Sequence, residues 1–264
     1  MKTIRWIGMV VAALLGSAIA LAAFAPASLA DAALRSVTSG RLALAETSGT
    51  VWRGSGRIVL IDVARARPEG NGGKSQVLSG VAIPGRLDWD LRALPLLVGV
   101  VDAAFRLEGM AAPVRLAGNL AEVRIGAGGF ALPSVELGRL GSPWNTFRPV
   151  ASLALRWEGM AFRNTGFEGR ATIELRDLAS ALSPVRPLGS YRIEVVGSGA
   201  STAVTMATLA GPLQLTGNGT WNARTGLSFR GLARSDPSEE ARIRSFLNLV
   251  GKREGDATVI TIGQ

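Results

Sequence analysis

Asp88 and Asp90 stand two residues apart in the stretch Leu87-Asp88-Trp89-Asp90-Leu91. On a β-strand, residues i and i+2 share a face, so the two carboxylates would sit side by side. A close carboxylate pair is what acid–base cleavage of a glycosidic bond requires. Arg86 and Arg92 fall on the same face, however, and are expected to pair with the acids, so a charged, solvated strand face is the reading adopted. No other catalytic set stands out. The chain has no histidine and no cysteine, which removes the commonest general base, the commonest metal ligands and every disulfide. Its glycine-rich tracts lack the G-x-x-x-x-G-K-[ST] spacing of a phosphate loop, and Gly126–Gly129 does not open a helix, so these glycines read as turns or bulges. Trp52, Trp89, Trp144, Trp157 and Trp221 could stack on sugars. Trp89 and Trp157 lie on the apolar side of alternating strands and read as core, and Trp144, after Pro143, is the one expected to be exposed. Neither an enzyme nor a cofactor or metal site is expected.

The elements that must position these residues are mostly strands. Period-two alternation recurs in Leu87–Leu91, Phe105–Glu108, Leu153–Glu158, Ile173–Arg176, Tyr191–Val195 and Leu227–Arg230, the pattern of antiparallel sheets with one wet and one dry face. The stretch "SGTVWRGSG" (48–56) reads as the end of one strand at Val51-Trp52, a tight bend at Gly54 and Gly56, and a second strand over Arg57–Ile61, with Trp52 buried by the turn. Residues Ala66–Gly80 read as a long loop. A duplication is suggested by three segments matched in order: 90–94 with 174–178, 105–108 with 191–194, and 113–119 with 212–218. A short helical piece is expected after each first segment, over Ala93–Val98 (with Pro95) and Leu178–Leu182. Near the end, Asp236 and Pro237 suit a helix start, Ile243, Phe246, Leu247 and Val250 form one stripe, and Gly251 stops the helix. The fold class expected is mainly β: an N-terminal transmembrane helix, then a duplicated, curved antiparallel sheet domain with short helices and one C-terminal helix.

Charge and the N-terminus bear on compartment and partners. The net charge is +9 over 264 residues, nearly all of it arginine scattered among the strands. Residues 7–25 carry no charge, and 19 helical positions at 1.5 Å each can cross a bilayer. Lys2 and Arg5 precede that stretch and favour a cytoplasmic start. The expected layout is 1–6 cytoplasmic, 7–25 membrane anchor, 26–40 linker and 41–264 a periplasmic β domain with units at about 41–140 and 150–264. The protein is expected in the inner membrane as a single-pass chain, and nucleic acid is not an expected partner. The alternative is cleavage of a signal peptide near Ser28-Leu29-Ala30.

Three stretches resemble one known family: "SGTVWRGSGRIVL" (48–60), "PGRLDWDLRALPLLVG" (84–99) and the tail "FLNLVGKREGDATVITIG" (246–263), following a single N-terminal apolar segment. Together they look like the type II secretion system protein N family (general secretion pathway protein N). The residues that carry the resemblance include Trp52, Gly54, Gly56, Trp89, Pro95 and Gly251. The resemblance implies a non-enzymatic inner-membrane accessory subunit of the machine that exports folded proteins across the outer membrane. Its implied partners are other secretion components, the secretin or the inner-membrane platform subunits. A second possibility, on a distant likeness to AsmA-type bridge proteins, is a periplasmic lipid-binding or lipid-transfer groove.

Overall fold

The computed structural model describes residues 23–61, 80–136, 148–222 and 226–263. Most of the 7–25 stretch, nearly all of the 66–80 loop and Trp144 lie outside the described residues. Among the described residues, no helix is long and apolar enough to cross a membrane.

One sheet of 17 strands forms the body. Its first half contains β1 (Leu42–Gly49), β2 (Arg53–Ile61), β3 (Gly80–Ala82), β4 (Leu87–Leu91), β5 (Val101–Leu107), β6 (Val114–Gly118), β7 (Glu122–Ile125) and β8 (Gly128–Glu136). The second half contains β9 (Pro149–Trp157), β10 (Met160–Arg163), β11 (Gly166–Ser180), β12 (Gly189–Gly199), β13 (Thr202–Ala210), β14 (Leu213–Asn222), β15 (Gly226–Ser235), β16 (Lys252–Glu254) and β17 (Ala257–Ile262). All ladders are antiparallel, and the chain meanders from each strand to its spatial neighbour. β3 and β4 share β2 as partner, and β9 and β10 share β11, so each of these pairs is one strand interrupted by a break. Only the last hairpin reverses the order: β17 pairs with β15 and leaves β16 outside.

Both margins of the sheet are protected. Helix α1 (Ser28–Val37) runs along β1, and its neighbourhood satisfies outward N–H groups of that edge strand. Leu44 N–H donates to Asp31 Oδ1 at 2.7 Å and Leu42 N–H to Thr38 Oγ1 at 3.1 Å. The other margin is the exposed Lys252-Arg253-Glu254, whose charges disfavour pairing with a foreign strand. The main core sits against helix α3 (Glu240–Val250), where Ile243, Phe246 and Leu247 pack with Val185, Leu188, Leu213 and Ala233. Beside it Tyr191 is fully buried, and its hydroxyl donates to the Leu213 carbonyl at 2.9 Å.

Several expectations need correction. The bend after β1 falls at Thr50–Trp52, not at Gly54 and Gly56, which lie inside β2. Trp52 is half-buried rather than buried. Helix α2 (Ala93–Leu96) forms as expected, but Leu178–Ser180 is extended and belongs to β11, where cross-strand pairing overrides any helical tendency. The stretch expected as a linker carries α1. Asp236 caps a turn through Ser238 N–H at 3.0 Å, and the helix starts later, at Glu240. The proposed repeat also does not stack as two copies of one unit. Register places β4 and β11 in opposite directions across the sheet, and β5 and β12 likewise, while β6 and β14 run the same way.

Candidate functional site

Alternation sorts the second half of the sheet into two faces. In β13 the exposed positions are Ala203, Thr205 and Ala207, while Thr202, Val204 and Met206 turn to the other side. Register carries that second side across neighbouring strands: Ile193 opposite Met206, Val195 opposite Val204, and Phe229 opposite both Gly219 and Ile262. The result is a groove of about 1220 Å³. Its walls are aliphatic and aromatic, with Met160, Phe162, Phe167, Ile173 and Leu215 joining those residues. At one end Phe246 and Leu247 of α3 close it, and at the other it reaches Asn164, Thr165, Trp221 and Asn222 in and beside the turns. Groove walls such as Val204, Met206 and Phe229 are only half-buried. Apolar side chains arranged this way can bind by surface burial, and the few polar groups offer little orientation.

Small residues help keep the groove open. Gly217 and Gly231 stand at inward positions opposite each other, and the ring of Phe229 lies over them. A Cβ on Gly217 would meet Phe229 Cζ at 2.5 Å, and one on Gly231 would meet Phe229 Cε1 at 3.0 Å. The same device appears in the first half. A Cβ on Gly54 would lie 2.5 Å from Trp89 Cζ2 and 2.8 Å from the Ser48 carbonyl. The indole N–H of Trp89 donates to the Val51 carbonyl at 3.1 Å. Trp157 sits over Gly128 in the same manner, with its N–H on the Gly126 carbonyl at 2.8 Å. Tryptophan on glycine thus locks neighbouring strands, which is a structural rather than a sugar-binding role for both side chains.

The opposite face is a ladder of ion pairs. Asp102 is held by Arg92 and Arg115, both at 2.8 Å, and Glu174 by Arg176 and Arg192, both at 3.0 Å. Glu122 is held by Arg124 and by Arg163, the latter at 3.0 Å. The Arg115 hydrogen bond first, then the charges of both arginines, holds the Asp102 carboxyl below its ordinary range. Hydrogen bonds from Arg124 and Arg163 do the same for Glu122, and those from Arg176 and Arg192 for Glu174. Asp90 is bound at 2.9 Å by Arg53 from the neighbouring strand, while Arg92 turns to Asp102 and Arg86 to the hydroxyls of Ser48 and Ser55. At Asp90 a cross-strand partner replaces the in-strand ones expected from the sequence, whereas Glu122 and Glu174 each keep one arginine from their own strand, two residues on.

The six singled-out residues do not form one site. Trp52, Gly54, Gly56 and Trp89 cluster where β2 meets β4, and the Trp52 carbonyl accepts the Leu91 N–H at 2.6 Å. Pro95 lies in α2, where its carbonyl accepts the Val98 and Val100 N–H groups. Gly251 follows α3 in extended conformation, φ −162°. Its lack of a side chain serves close packing, because a Cβ would meet Thr258 Cγ2 at 2.8 Å. The groove residues were missed individually. Their signal was the period-two pattern over 202–208 and 227–233 combined with glycines at inward positions. Among the described residues, no group of three or more acidic side chains is placed to hold a metal ion.

The family model for type II secretion system protein N matches residues 40–261. The chain belongs to that family. A search of curated proteins found no match, and a search of solved structures found none either. Membership covers β1 to β17 almost completely, so the groove, the ion-pair ladder and the tryptophan–glycine locks are all features of a protein N domain. It also carries a role in type II secretion and association with other components of that system.

Proposed function

We propose that this chain is a non-enzymatic accessory subunit of the type II secretion system, held in the inner membrane by residues 7–25 with its β domain in the periplasm. The family match over 40–261 carries the reading. The uncharged 19-residue stretch after Lys2 and Arg5 supports the anchor and its orientation. Partners of this subunit are the secretin or the inner-membrane platform subunits. Deleting the gene should leave normally exported enzymes in the periplasm, and the wild-type gene should return them to the medium. Unchanged export in the deletion strain would remove the reading.

A second reading concerns the groove. Its apolar walls, which run from α3 toward Trp221 and Asn222, favour the acyl chain of a lipid as occupant. The full-length protein, extracted gently and examined by native mass spectrometry, should then carry lipid in fixed stoichiometry. Filling the groove with Val204→Trp should abolish that adduct, and lipid retained at the same stoichiometry would place it elsewhere.

A further inference from the structure

The antiparallel register gathers one set of turns at one end of the sheet. The β1–β2 bend, helix α2 and the β6–β7 turn all lie there, since Gly49 is opposite Gly54, Arg53 opposite Asp90, Leu91 opposite Ala103 and Val101 opposite Gly118. Residues 25–27 join the sheet at this same end. The Ala25 carbonyl accepts the Val51 N–H at 2.8 Å, Ala27 N–H donates to the Gly49 carbonyl at 3.1 Å, and Pro26 bridges Thr50. Ala27 is buried by these contacts. The last described residues of the uncharged 7–25 stretch are therefore tied directly to the β domain.

The turns beside that junction are apolar and bare. Leu94 is 79% exposed, Leu97 82%, Val98 77% and Leu120 97%, and Phe24 at the junction is 79% exposed. Neighbouring strands are about 4.8 Å apart, so from β2 to β7 these tips span roughly 20 Å. No charge interrupts Ala93–Val101 or Gly118–Ala121. The first charges behind the tips are ion pairs, Arg53 with Asp90, Arg92 with Asp102 and Arg124 with Glu122, and in each the guanidinium is the more exposed partner. Apolar tips backed by arginine match the layering of a membrane interface, with acyl chains first and anionic phosphates behind. A protein partner could also seat on such tips, but the junction with the uncharged stretch at the same end favours the bilayer.

We propose that this end of the sheet rests on the periplasmic surface of the inner membrane, with Leu94, Leu97, Val98 and Leu120 in the interfacial layer and the arginines at phosphate level. The domain then stands upright on the bilayer. The inference rests on the reading that residues 7–25 cross the membrane. The absence of native cysteine permits a direct test. Single-cysteine variants L97C, L120C and, at the far end of the sheet, L209C are labelled with an environment-sensitive fluorophore. The full-length protein is reconstituted in phosphatidylethanolamine–phosphatidylglycerol vesicles containing a headgroup-level nitroxide lipid. Labels at 97 and 120 should shift to the blue and be quenched several-fold more than the label at 209. Equal quenching at all three, in protein that stays with the vesicles through alkaline carbonate, would overturn the membrane contact while leaving the anchor intact. Loss of the protein from the vesicles would overturn both.

Discussion

Strands β12 to β15 share one apolar face, yet its two ends are finished differently. At one end α3 lies on the inward face, and Ile243, Phe246, Leu247, Leu213 and Ala233 are buried together. At the other end the same face, with Val204, Met206 and Phe229, borders an open groove. The pattern of the strands decides which side is apolar. It does not decide what covers that side. Cover at the α3 end comes from a separate element whose 3.6-residue stripe matches the sheet, and where that element stops, apolar surface remains for something outside the domain.

This contrast can be broken at the covered end with the largest effect. Ile243→Ala should destabilise the domain by about 2–5 kcal/mol, because it leaves a cavity under α3. Chemical denaturation of the full-length protein in detergent would measure it. Overpacking is the next test. Gly54→Val should cost about 1–3 kcal/mol, since the new side chain meets the Trp89 ring and the Ser48 carbonyl, and the same denaturation series would show it. At the open end, Met206→Gln should change stability by no more than about 0.5 kcal/mol, as expected of a half-exposed position. A loss as large as that of Ile243→Ala would mean that the groove is packed in solution.

The polar face gives a pH test with a definite sign. Asp102, Glu122 and Glu174 have carboxyls held below their ordinary range by flanking arginines. A depressed folded-state pKa contributes stability above the unfolded value, and that contribution disappears as pH falls through the folded one. Stability should therefore be level near neutrality and decline below about pH 4, the unfolded carboxylate range. High salt should weaken the effect because the pairs are exposed. Asp102→Asn should flatten part of the decline, as measured by thermal unfolding between acid and neutral pH.

Much of the fold could be read from single residues. Leu87–Leu91 and Tyr191–Val195 announced strands by alternation, and the stripe of Ile243, Phe246 and Leu247 announced α3. The errors have local causes. Gly54 and Gly56 looked like a bend because glycine marks turns, but here they make room for Trp89 and for the neighbouring strand. Asp90 was paired in sequence with Arg92, whereas register brings it Arg53. Of the segment expected to be helical, Leu178–Ser180 is drawn into β11 by its long ladders, and Ala181-Leu182 only turn. The groove was legible only as an apolar face. Its openness depends on where α3 ends and on which inward positions are glycine, and both are properties of register.

The most direct measurement is export of a normally secreted enzyme in a deletion strain with and without the wild-type gene. The account predicts enzyme held in the periplasm without the gene and returned to the medium with it. Full export with no gene present would contradict the secretion role.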